Sequence, residues 1–241
     1  MTILYQFPQS HYCEKARWAL DYKQIPHTCQ TVLPGLHFLK TRWMGLASTF
    51  PIVRHNGRLI QDSSTIITYL DDQYPDRPQL TPADPTLKHE ALEWEAYLDT
   101  AIGPHLRRVF YHYILEDRAL TAYFFSYNGP FYGRFLVGRM YPILSRLMRK
   151  WMSINAAETA ASCQKMQVEI DKLRDHYQNR PYLVGDRFTR ADLTAASLLA
   201  PLHKLPQYGM VWPELPAELE TLIASWASQT QWLLPLYQAH R

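Results

Sequence analysis

Between Thr49 and Ile67 the chain carries residue types suited to holding a small peptide. Thr49-Phe50-Pro51-Ile52-Val53 reads as an apolar strand entered through a proline, Asn56-Gly57 as a hairpin turn, and Leu59-Ile60-Gln61 as a second short strand. Asp62-Ser63 then opens a helix. A helix N-terminus offers free N–H groups and the positive end of the helix dipole, so this order leaves a carboxylate site beside a proline loop. The implied ligand is peptide-like. Near the start, Ser10 and Cys13 open another helix. A thiol in a first helical turn can have its pKa lowered, which would allow exchange through a mixed disulfide, whereas a lone cysteine on an apolar helix face is commonly buried and inert. Both readings stay open. The ten histidines are scattered without metal-ligand spacing, so no metal is expected.

The elements that must position these groups fall into two textures. From Thr2 to about Tyr74 the pattern changes every ten residues or so: a strand over Ile3–Phe7, a helix over Tyr12–Gln24 with Cys13, Ala16 and Leu20 on one face, and a strand over His27–Val32. A strand, a helix and a strand in succession make a parallel right-handed unit. An irregular segment with a short helix follows over Pro34–Met44, then the hairpin Ile52–Arg54 and Leu59–Gln61 with a type I′ turn, then a helix over Ser64–Gln73. Pro75, Pro78, Pro82 and Pro85 forbid a continuous helix and mark a linker. Beyond it only helical spacing occurs, in Thr86–Ile102, Ile143–Trp151, Cys163–Tyr177, Ala191–Leu202 and Leu219–Trp226. The expected fold is α/β plus all-α, with domains over residues 1–76 and 86–241.

Composition bounds the function classes. With 241 residues, 47% hydrophobic and 20% charged, the chain can bury a large core and is not expected to be disordered. A net charge of +3 is slight, so by charge alone neither nucleic acid nor a membrane is an expected partner. The first residues lack the basic and apolar regions of a signal peptide, no apolar run approaches a membrane span, and a cytoplasmic protein is expected. Cys13, Cys29 and Cys163 are odd in number and widely spaced, which favours reduced thiols.

Four places together resemble the cytosolic glutathione transferase family: Ser10-His11-Tyr12-Cys13, Phe50-Pro51, Asp62-Ser63, and the helix-capping run Phe188-Thr189-Arg190-Ala191-Asp192-Leu193. The resemblance implies an N-terminal thioredoxin-like domain followed by an all-helical C-terminal domain, and a homodimer. It implies that Pro51 is a cis-proline turning the Phe50 backbone toward the cysteinyl part of glutathione. Asp62 and Ser63 would hold the γ-glutamyl group, Tyr12 would add a hydroxyl, and Lys40 with Arg42 would meet the glycyl carboxylate. Ser10 matches the activating hydroxyl of serine-type members, with Cys13 the runner-up as the second cysteine of a Cys-x-x-Cys motif whose first is Ser10. A thiol of ordinary pKa is only about 3% ionised at pH 7, and lowering that pKa by about two units takes about 2.7 kcal/mol, within reach of a hydroxyl hydrogen bond and a helix N-terminus.

A small apolar electrophile would bind among the aromatics of the helical half, with Phe110, Tyr111 and Tyr113 named for its pocket and Arg107 among the cations able to favour an anionic co-substrate. Three functions remain: conjugation of the glutathione thiolate to an apolar electrophile in detoxification, glutathione-dependent thiol-disulfide or deglutathionylating chemistry at Cys13, and a non-catalytic ligand-binding or interaction protein of the same fold.

Overall fold

The computed structural model describes residues 1–241. The first half folds as β1 (Thr2–Gln6), α1 (His11–Tyr22), β2 (His27–Thr31), α2 (His37–Trp43), β3 (Ile52–His55), β4 (Arg58–Gln61) and α3 (Ser63–Gln73). The sheet order is β2-β1-β3-β4, with β1 parallel to β2 and antiparallel to β3, and β3 antiparallel to β4. This is the thioredoxin-like arrangement. Asn56 and Gly57 have φ of 49° and 82°, the two positive values that a type I′ turn demands. Cys13, Ala16 and Leu20 are all fully buried, so the helical period read from α1 is its core face.

The second half is all helix: α4 (Pro85–Ala101), α5 (Gly103–Ile114), α6 (Arg118–Ser126), α7 (Gly133–Trp151), α8 (Ala156–Asn179), α9 (Arg190–Leu199), α10 (Ala217–Gln229) and α11 (Leu233–His240). Spacing alone did not reveal α5, α6 or α11. Gly103-Pro104 begins α5, since proline is tolerated in a first turn whose N–H groups lack helical partners anyway. α7 starts well before Ile143 and continues through Pro142. Thr189 caps α9 in a reciprocal capping box with Asp192, whose carboxylate also accepts from Leu183 N–H at 2.6 Å and the Tyr177 hydroxyl at 2.9 Å. No helix is long and apolar enough to cross a membrane.

The halves are joined by buried charge. Lys15 Nζ on α1 lies 2.8 Å from Glu95 Oε1 and 2.7 Å from Asp99 Oδ2 on α4. Arg190 Nε on α9 lies 2.5 Å from Glu95 Oε2, and its terminal nitrogens donate to Thr68 Oγ1, Thr81 Oγ1 and the Ser64 carbonyl. A guanidinium presents a fixed fork of donors, so Arg190 sets α3, α4 and the interdomain linker in one geometry. That geometry positions the site.

Candidate active site

The hairpin and the two helix N-termini meet at one end of the sheet. The Phe50–Pro51 bond is cis, and the Phe50 N–H and C=O make no hydrogen bond within the chain. Gln61 Nε2 holds the loop before them by donating to the carbonyls of Ala47 and Thr49 at 2.7 and 2.8 Å. Asp62 sits at φ 82°, a backbone region that side chains rarely adopt and that often marks ligand-holding residues. Its Oδ1 accepts from the N–H groups of Ser64 and Thr65 at 3.1 and 3.0 Å. The cap of α3 is therefore Asp62, and Ser63, which the sequence allowed as the cap, is the first helical residue. This leaves Asp62 Oδ2 and the Ser63 N–H for a ligand.

Ser10 caps α1 by accepting from Cys13 N–H at 3.4 Å. Accepting uses a lone pair and leaves the hydroxyl proton free to donate elsewhere, so capping and thiolate stabilisation are compatible. Cys13 is fully buried, and burial pushes its thiol up. It lines neither of the cavities at Ser10.

A cleft of about 820 Å³ brings together Phe7, Ser10, Tyr12, Phe50, Pro51, Asp62 and Ser63. Tyr12 contributes its ring. Its hydroxyl donates to the Asp99 carbonyl at 2.6 Å, and burial followed by the Asp99 charge raises its pKa. A Cβ on Gly103 would stand 1.9 Å from that hydroxyl, so only glycine lets α5 approach α1 this closely. Lys40 is not brought to the cleft. Its ammonium stands 4.2 Å from the Tyr5 ring centre and lines a separate groove against β2.

The apolar wall differs from the aromatic cluster expected. Tyr111 lines the cleft, Phe110 lines only a smaller cavity behind it, and Tyr113 lines neither, because a residue two positions from Tyr111 points about 200° around the helix. The wall comes from α7, through Met140, Ile143, Leu144, Leu147, Met148 and Trp151, with Phe38 of α2 facing Trp151 across 6.2 Å between ring centres. Recurrence every three or four residues was the available signal, but spacing does not say which face of a helix meets a ligand. Asp99, also on the cleft, was missed because nothing local marks it.

Arg107 lines both the cleft and the smaller cavity of about 40 Å³. It makes no hydrogen bond or ion pair, while every other arginine without such a partner is exposed. Beside it His11 is buried with Nε2 unpartnered, and burial, then the Arg107 charge, lowers its pKa to about 3. One free cation thus faces the space in front of Ser10, bordered by a histidine that stays neutral.

The glutathione S-transferase N-terminal domain family matches residues 4–78, and the corresponding C-terminal domain family matches residues 118–223. Among curated proteins, a probable glutathione S-transferase of Nicotiana plumbaginifolia is 37% identical over 109 residues, 45% of this chain and 50% of that protein. Another from Oryza sativa subsp. japonica is 28% identical over 118 residues, 47% and 50% of the two chains. The chain thus spans about half the length of these curated relatives. Among solved structures, a β-etherase of Sphingobium sp. matches with a TM-score of 0.63 at 18% identity over 98% of each chain. A Ceriporiopsis subvermispora glutathione S-transferase, determined in complex with glutathione, matches with a TM-score of 0.63 at 16% identity over 97% of this chain and 96% of its own. At these identities the structural matches speak for the fold.

Proposed function

The chain belongs to the glutathione S-transferase family, and on that premise we propose that it conjugates the glutathione thiolate to an apolar electrophile. One observation carries the reading: a single cleft holds the unpartnered Ser63 N–H at the α3 N-terminus, the Asp62 carboxylate, the unpaired Phe50 backbone, the Ser10 hydroxyl and the apolar α7 wall. The γ-glutamyl carboxylate meets the α3 N-terminus, its ammonium pairs with Asp62 Oδ2, and the cysteinyl backbone pairs with Phe50. The thiol then lies toward Ser10.

The reaction splits into two tasks. Glutathione loses its thiol proton to solvent, and Ser10 donates a hydrogen bond to the sulfur while Arg107 adds positive potential. The thiolate forms a carbon–sulfur bond with an electrophile held against α7, and the leaving group departs with its electron pair. Proximity in one cleft makes the encounter effectively intramolecular. Burial of Cys13 supports Ser10 over the thiol-disulfide reading. A role in detoxification, a cytoplasmic location and a homodimer belong to the same reading.

Calorimetric titration with reduced glutathione tests it. Saturable binding that Asp62→Ala weakens and Ser10→Ala spares is the expected result. Absence of binding at millimolar glutathione removes both enzyme readings and leaves a non-catalytic protein of this fold.

A further inference from the structure

The slight net charge conceals an uneven distribution. No aspartate or glutamate occurs between Asp21 and Asp62, or between Asp117 and Glu158. These two acid-free stretches, far apart in sequence, lie together in space: a Cβ on Gly35 would meet Met140 Cε at 3.1 Å, one on Gly133 would meet Leu33, and Phe38 faces Trp151. On α7 the exposed Arg139, Arg146 and Lys150 recur at intervals of seven and four residues, which places them along one line of the helix. On the same helix Phe135 and Ile143, four residues before and after Arg139, are 78% and 64% exposed, and Phe131 just before the helix is 99% exposed. On α2, which reaches α7 through Phe38 and Trp151, Leu39 and Trp43 are 69% and 86% exposed.

We propose that this face, formed by α2 and α7, docks onto an anionic lipid surface as a peripheral contact. A basic line flanked by exposed aromatic and aliphatic side chains is the pattern of a helix lying in a membrane interface, where apolar groups enter the acyl boundary and cations meet headgroups. A second copy fits poorly, because a two-fold contact would set like charges against each other. Nucleic acid would satisfy the cations but leave Leu39, Phe135 and Ile143 uncovered. The expectation of no membrane partner came from averaging charge over the chain, and the absence of a spanning helix is unaffected. The cleft opens beside this face through Ile143 and Trp151, so a bilayer would supply apolar co-substrate directly. That consequence rests on the proposed function, whereas the docking does not.

Flotation of the purified chain with phosphatidylcholine vesicles, with and without phosphatidylserine, tests it. The expected result is partitioning that needs phosphatidylserine and weakens as salt rises. The pair Arg139→Glu and Arg146→Glu should lower it about 30-fold or more, since each basic residue near such a surface contributes about fivefold. The pair Leu39→Ser and Trp43→Ser should lower it about tenfold. None of these four lines the cleft, and all are exposed, so an unchanged melting temperature is expected to accompany the loss. No flotation at low salt, equal partitioning of the charge-reversed chain, or retention on duplex DNA without vesicle binding overturns the proposal. Concentration-dependent self-association removed by Trp43→Ser also overturns it and assigns the face to a second copy.

Discussion

At the junction of α1, α4 and α9 the two halves meet through buried, paired charge; along α7 they face each other across an open apolar wall. Lys15, Glu95 and Arg190 are almost wholly buried and share their oxygens and nitrogens among elements 49 to 126 residues apart in sequence. α7 is anchored mainly on α6 and leaves Ile143, Leu147 and Trp151 partly open to solvent. Directional bonds fix one geometry, whereas apolar contacts tolerate rearrangement. The proposed glutathione half of the cleft therefore lies beside the rigid junction, and the electrophile half on the adaptable wall.

The largest test of this contrast is Arg190→Met. It strands Glu95 as a buried charge missing one partner, and a loss of about 3–5 kcal/mol is expected. The exposed pair Arg149–Glu116 should cost at most about 1 kcal/mol when broken by Arg149→Met. Thermal or denaturant unfolding of the two variants compares them, and equal losses would break the distinction.

Ser10→Ala probes whether the rigid half serves chemistry as well as binding. A fall in kcat of about 100-fold with glutathione affinity nearly unchanged is expected, corresponding to about two pKa units of thiol stabilisation. A parallel loss of affinity would make Ser10 a structural cap only.

Acid sensitivity sharpens the picture at α1. His11 has a folded pKa of about 3, below the ordinary value, so the unfolded chain binds the extra proton between the two values. Its contribution to stability is complete above about pH 6.5 and lost as pH falls toward about 3, at about 1.4 kcal/mol per pH unit. His11→Gln should flatten the slope of unfolding free energy between about pH 6 and about pH 4, and an unchanged slope would show that His11 does not titrate there.

The smallest effect is expected on the wall. Leu147→Ala removes apolar contact worth about 1 kcal/mol to a bound electrophile, raising its KM about fivefold with little change in melting temperature. A stability loss as large as that of Arg190→Met would mean that α7 is core and not an adaptable wall.

Much of the fold was legible because its signals are local. The Asn56-Gly57 turn, the Thr189–Asp192 capping box and the buried face of α1 each depend on residues within about four positions of one another. Asp62-Ser63 was found in the same way, though which of the two caps α3 depended on a backbone angle that sequence does not carry. Lys40 lines a separate groove because a short helix can present a side chain to either side and only packing selects which, and Tyr113 lies off the cleft because it points about 200° around α5 from Tyr111.

By itself, then, the sequence determined the order of strands and helices in the first half, the all-helical character of the second, the start of α9, and the residue types gathered at the N-termini of α1 and α3. Tertiary structure alone decided that Pro51 is cis, that Tyr12 bonds Asp99, that Arg107 lacks a partner, and that α7 supplies the wall. The reason is range: hydrogen bonds within a turn follow from adjacent residues, whereas a contact across 84 or 126 positions depends on the angles at which whole helices pack.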